Sequence, residues 1–147
     1  MKKIALLLVL MTTFLSCSVG DTDTYTPHFL AVETYTIPEN LVVNQSYTIS
    51  LTYQKPTACY NFRDVYIGGG TDGLTNTIAI YTDTKDGENC TGSIPSPSTV
   101  SIVFTPTKVG TYTFKFYKGA DEDDEDDDGN TTEDLYEDVQ VVVAAAS

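Results

Sequence analysis

The residues best equipped for chemistry in this 147-residue chain are carboxylates. Ten of its 21 acidic residues fall in one run, Asp121 to Asp134, reading DEDDEDDDGNTTED. Asp124, Asp126 and Asp128 alternate there, and Gly129 follows. Alternate carboxylates can wrap a hard cation, a glycine at the sixth position permits the sharp turn, and the next residue, here Asn130, offers its backbone carbonyl. The pattern therefore points to calcium. The bidentate Glu expected at the twelfth position is missing: Leu135 stands there, with Glu133 and Asp134 just before it. No helices flank the run, so a helix–loop–helix unit is excluded. Extracellular loops of this kind bind weakly, on the order of 10⁻⁴ to 10⁻³ M. Without metal, eight consecutive like charges repel one another, and the loop reads as solvated and disordered. No other cofactor is expected.

The remaining candidates point away from catalysis. His28 is the single histidine, so any Ser–His–acid or Cys–His mechanism would run through it. It sits beside Pro27 at the start of the body of the chain, where precise orientation is hard to hold. Glu33, Asp64 and Asp83 stand singly, and no spacing marks a carboxylate pair for hydrolysis. Gly68 to Gly73 reads GGGTDG but leads into a strand pattern. A phosphate cradle needs a helix N-terminus with Lys-Ser/Thr, so a hairpin turn is the expectation here. Cys59 and Cys90 with one histidine make a poor zinc site. In an exported chain such an even pair bridges, and the closed loop of about 32 residues is worth roughly 3.5 kcal/mol in the chain-entropy model. The sequence predicts a non-enzyme.

The elements that must position these residues are strands. Val100, Ile102 and Phe104 alternate in one run, and Tyr112, Phe114 and Phe116 in the next, joined by the corner Pro106 to Gly110. Period-two alternation marks a strand with one buried face. Further strands are predicted at Phe29–Thr36, Ser46–Tyr53, Cys59–Ile67, Asn76–Tyr81 and Leu135–Val143, with Leu41-Val-Val running into a turn at Asn44-Gln45. Seven or eight short strands with turn residues between them and no helix describe an all-β, antiparallel sandwich. There are ten tyrosines and no tryptophan. Tyr35, Tyr53, Tyr66, Tyr81, Tyr117 and Tyr136 fall in or beside strands. Those facing outward favour a recognition surface, sugar stacking included.

Val109-Gly110-Thr-Tyr112 resembles the corner at which immunoglobulin-like domains bury a tyrosine, and the wider pattern is similar to bacterial immunoglobulin-like surface modules. That resemblance implies an immunoglobulin-like sandwich over residues 28–147, with the acidic loop at 119–134 and the Tyr112 hydroxyl bonding backward along the chain. The stretch Ser46–Phe62 also resembles the strand–loop–strand of chagasin-like cysteine-protease inhibitors. Pro56, Thr57 and Tyr60 match that loop, while Lys55, Ala58, Cys59 and Phe62 depart from it. The family's second and third loops have no counterpart at Ser93–Pro97 or after Tyr117.

The start of the chain carries an address. Met1-Lys2-Lys3 is followed by an apolar run from Ile4 to Leu15, shorter than the roughly 20 residues a membrane span needs. Phe14-Leu15-Ser16-Cys17 resembles the lipobox of bacterial lipoproteins, with Phe14 and Leu15 bulkier than its strict form. This implies a signal peptide at 1–16, an acylated Cys17 and a small, polar tether to residue 27. Several acyl chains anchor stably. No Asp follows Cys17, which by the same resemblance favours the outer membrane. Removing Lys2 and Lys3 leaves six basic against 21 acidic residues, a net charge of −15. That excludes nucleic acid as a partner. The reading that results is a lipid-anchored cell-envelope module, binding a protein or glycan or serving a structural role, with protease inhibition as the alternative.

Overall fold

The computed structural model describes residues 23–120 and 133–146. Nine strands make two sheets packed face to face, with no helix among the described residues. They are β1 (Tyr25–Leu30), β2 (Thr34–Thr36), β3 (Leu41–Val42), β4 (Tyr47–Tyr53), β5 (Asn61–Gly69), β6 (Thr75–Lys85), β7 (Ser98–Phe104), β8 (Gly110–Ala120) and β9 (Asp134–Ala144).

The small sheet runs β2-β4-β7, all antiparallel. In the large sheet β5 takes one edge of β6, so β1 and β8 share the other, end to end. β9 then pairs with β8, and β3 with β9. Antiparallel pairing dominates. Two short parallel stretches interrupt it, Thr75–Ile78 along Thr113–Phe116 and Leu41–Val42 along Val143–Ala144.

Alternation decides which faces meet. Ile49, Leu51 and Tyr53 of β4 point across to Ile78 and Ile80 of β6 and to Phe114 and Phe116 of β8, and all are buried. Phe104 packs edge-on against Phe114 at 5.0 Å, and Tyr35 stacks on Phe116 at 4.2 Å. Such contacts are worth about 0.5–1.5 kcal/mol beyond the area they bury.

The predicted strand Phe29–Thr36 is in fact divided between the sheets. The Val32 N–H donates to the Tyr117 carbonyl of the large sheet at 2.8 Å, and the Glu33 N–H donates to the Thr52 carbonyl of the small one at 2.9 Å. Alternation alone could not show this, because the apolar positions continue through the crossing. Lys118 fastens the crossing: its Nζ donates to the Val32 and Glu33 carbonyls at 2.8 and 3.1 Å and pairs with Glu137 at 2.9 Å. At the other end β1 begins at Tyr25, so Tyr25–Pro27, read from sequence as tether, are paired with Asp83–Lys85.

The corner between β7 and β8 also changes sheets. Pro106 is fully buried in it, and its carbonyl accepts the Asn44 N–H at 2.8 Å. Asn44 and Asn40 hold left-handed φ of 63° and 57°, a conformation asparagine tolerates.

Candidate functional site

The two outward sheet faces differ in kind. On the small sheet Thr34, Thr52 and Thr99 lie in one cross-strand row, and Thr36, Ser50 and Ser101 in the next. Hydroxyl contacts join Ser50 to Ser101 at 3.3 Å and Thr52 to Thr99 at 3.4 Å. This is what a solvated sheet face should present. The large sheet departs from it. With Ile78 and Ile80 of β6 facing the core, its alternate residues Thr77, Ala79 and Tyr81 face out, and the register brings Tyr66 opposite Ala79 and Phe29 opposite Tyr81. Tyr117 and Tyr136 pair directly across β8 and β9. Phe29, Tyr66 and Tyr136 are 50%, 48% and 41% exposed. A contiguous exposed apolar patch carries information that single exposed side chains do not.

Local sequence sets the shape of this strip. Ala79 and Thr77 are small and make a floor, and the bulkier rings stand around it. Phe29 meets Tyr66 at 5.4 Å with planes inclined 62°, and Tyr117 meets Tyr136 at 5.8 Å inclined 59°. The result is a hollow of about 230 Å³ lined by Phe29, Tyr66, Thr77, Ala79, Tyr117, Asp134 and Tyr136. Phe29 and Tyr66 form a ridge shared with a second hollow, which Tyr81 and Asp64 help to line. Burial, and then the charge of Asp134, raise the phenols of Tyr117 and Tyr136 above their ordinary value.

Two cations of the chain sit over aromatic rings of this sheet. Arg63, set outward by a bulge in β5, lies 5.4 Å from the Tyr25 ring centre and pairs with the nearly buried Asp83. Lys115 lies 5.6 Å from the Tyr136 ring centre and pairs with Asp138 at 2.9 Å.

A wider groove of about 730 Å³ opens where β9 parts from the segment Tyr35–Val42. It is lined mainly by aliphatic side chains and turn backbone, and it brings together no set of convergent polar groups.

The other sequence-predicted residues are placed as follows. Cys59 and Cys90 form a disulfide, with Cα atoms 5.6 Å apart, tying the β4–β5 loop to the segment after β6. Glu88 lies beside the two sulfurs, but the bridge consumes both thiols as metal ligands. In the inhibitor-like loop Pro56 is exposed, Thr57 turns back to accept the Cys59 N–H at 3.3 Å, and half-buried Tyr60 packs on the His28 ring at 5.1 Å. His28 also bonds the Thr84 hydroxyl at 3.0 Å. Of the Gly68–Gly73 stretch, Gly68 and Gly69 close β5, and the residues from Gly70 to Leu74 make the β5–β6 hairpin turn. Asp72 accepts the N–H groups of Leu74 and Thr75 there at 2.8 and 2.9 Å. Cys17 and the acidic-run residues Asp124, Asp126, Asp128 and Asn130 lie outside the described residues.

Sequence reading named Tyr66, Tyr81, Tyr117 and Tyr136 but could not show which pointed outward together. It missed Phe29, assigned to a core strand, and Asp134, counted with the acidic run. Register was the missing signal, since a one-residue slip moves every side chain to the opposite face. No protein-family model, characterised protein or solved structure matches this chain.

Proposed function

We propose that this chain is a lipid-anchored, non-catalytic binding module of the bacterial cell envelope, built as an immunoglobulin-like sandwich, whose ligand sits on the aromatic face of the large sheet. The observation that carries the reading is the contrast between the two solvent faces, hydroxyls on one and clustered rings on the other. Tyrosine supplies large, rigid contact area at small entropic cost, which suits it to recognition. The immunoglobulin-like part draws support from the buried Tyr112, whose hydroxyl accepts the Lys108 N–H four residues upstream. The parallel β6–β8 pairing departs from the usual strand arrangement of that family. The non-catalytic part draws support from His28, whose ring partners are Thr84 and Tyr60. The lipid anchor rests on Ser16-Cys17 after the apolar run.

Two measurements test it. Cys17→Ser should move the protein from the membrane to the soluble fraction and abolish fatty-acid labelling; unchanged fractionation rejects the anchor. The full chain should co-sediment with purified envelope polymer or outer-membrane fragments, and the Phe29→Ser/Tyr136→Ser double variant should not. Equal sedimentation of a folded double variant rejects the face.

A further inference from the structure

We propose that the hollow between Phe29, Tyr66, Tyr117 and Tyr136 is a cage for a compact alkylated ammonium group of the trimethylammonium type, with Asp134 as its countercharge. The inference rests on the reading of this face as the binding surface and names the class of its ligand.

Ring geometry argues first. A flat, extended ligand needs rings lying coplanar along its path. Here the two neighbouring pairs on the lining, Phe29–Tyr66 and Tyr117–Tyr136, are inclined by 62° and 59°. Inclined faces make a cup, and a cup presents several negative ring faces to one small positive group. Size agrees: about 230 Å³ is below the roughly 300–1,000 Å³ of pockets that take drug-sized ligands. It suits a head group with the rest of the molecule outside.

Charge argues next. Asp134 is on the lining, and among the described residues no lysine or arginine pairs with it. The Tyr136 hydroxyl donates to the Asp134 carboxylate at 3.5 Å. The whole chain carries −13, so an anionic ligand would be repelled. The chain already places two of its own cations against rings of this sheet, Arg63 over Tyr25 and Lys115 over the cup's own Tyr136, while no cation of the described residues lies over Phe29, Tyr66 or Tyr117.

Hydrogen-bonding capacity narrows the class. A primary ammonium brings three N–H donors and a guanidinium five, and each donor taken from water needs an acceptor. The side-chain acceptors on the lining are the Asp134 carboxylate and the hydroxyls of Thr77, Tyr66, Tyr117 and Tyr136; a phenol oxygen lies in its own ring plane, so the ring faces themselves offer an N–H no oxygen acceptor. A trimethylammonium group has no N–H to satisfy and presents methyl groups to the ring faces.

The test uses the full-length chain in nonionic maltoside micelles, with backbone amide NMR as the readout. Choline should shift the amides of Phe29, Tyr66, Ala79, Tyr117 and Tyr136 saturably. Its uncharged isostere 3,3-dimethylbutan-1-ol should not. Asp134→Asn keeps the rings and should weaken choline binding about five-fold, the scale of a partly exposed ion pair. The inference is overturned if the isostere titrates like choline, if choline shifts nothing, if Asp134→Asn binds as tightly as the parent, or if cellohexaose or N-acetylargininamide binds these residues more tightly than choline. Absence of choline binding with retained, Phe29- and Tyr136-dependent sedimentation would remove the cage and leave the binding face standing.

Discussion

The Tyr112 hydroxyl accepts the Lys108 N–H at 3.0 Å from inside the core, 3% exposed, while its ring packs edge-on against Phe104 at 5.3 Å. One side chain thus fixes the corner where the chain passes from the small sheet to the large one. Tyr112→Phe keeps the ring and leaves that N–H without its partner. The expected loss is about 1–2 kcal/mol, the cost of an unsatisfied, part-buried donor. Urea denaturation should show a lower midpoint with an unchanged m-value. An unchanged midpoint would mean that water takes over the bond.

Lys118 acts at the other crossing, where adjacent residues Val32 and Glu33 belong to different sheets. Lys118→Met preserves the aliphatic stem and removes three contacts. A loss of about 1–2 kcal/mol is expected, reduced from the buried-group value because the side chain is partly exposed. Amide exchange should rise first at Val32 and Glu33. Uniform exchange across the sandwich would show that the crossing does not open separately.

The Cys59–Cys90 bridge closes a long polar segment that has no strand of its own between Asp86 and Pro97. Replacing both cysteines by serine should cost about 2–5 kcal/mol, mostly through a freer unfolded chain. Non-reducing peptide mapping of the native protein should find the linked peptides. Two freely alkylated thiols would remove the bridge and its stabilisation together.

Acid stability follows from two carboxylates held below their usual range. Glu137 is lowered by its bond to Lys118 and then by the Tyr35 hydroxyl; Asp72 is lowered by the Leu74 and Thr75 N–H groups and the Thr75 hydroxyl. A depressed folded pKa contributes stability above the unfolded value, about 4.3 for Glu and 3.9 for Asp, and that contribution is lost as pH falls through the folded value. Tyr35 is raised, chiefly by its bond to Glu137, so its contribution is present below about pH 10 and lost as pH rises through its folded value. Stability should therefore be flat through neutrality and fall at both ends. The Asp72→Asn/Glu137→Gln variant should show a shallower acid limb in urea midpoints measured against pH. An identical limb would place the acid-sensitive groups elsewhere.

Much of this fold was legible because strands announce themselves by alternation. Ser46–Tyr53 and Thr99–Lys118 emerge within a residue or two of β4, β7 and β8, and the even cysteine pair suggests the bridge once the chain is read as exported. The crossing at Val32–Glu33 was not legible, since both of its halves keep apolar residues inward. Nor was the aromatic cup. Tyr66, Tyr117 and Phe29 are separated widely in sequence and meet only through the register of β5, β8 and β1 on β6. Ala79 and Thr77 shape the cup by being small, which no motif records.

Gly68 is the most discriminating position at which to test that cup. A Cβ there would come within 2.8 Å of the Tyr66 hydroxyl and 3.1 Å of its ring, so the ring lies along β5 over the bare glycine. The Gly68 φ lies outside the left-handed region, and the residue pairs with Thr77 as ordinary strand. Alanine therefore costs the backbone nothing and can add about 0.4–1 kcal/mol by restricting the unfolded chain. What must move is the Tyr66 ring, one wall of the cup. Gly68→Ala should leave the urea midpoint unchanged or raised while weakening choline binding several-fold. The neighbouring Gly69 has nothing within 4 Å of a new Cβ, so Gly69→Ala should change neither stability by more than about 1 kcal/mol nor binding. Weaker binding in the first variant and not the second ties affinity to the pose of Tyr66. Equal binding in both would show that the ring does not contact the ligand.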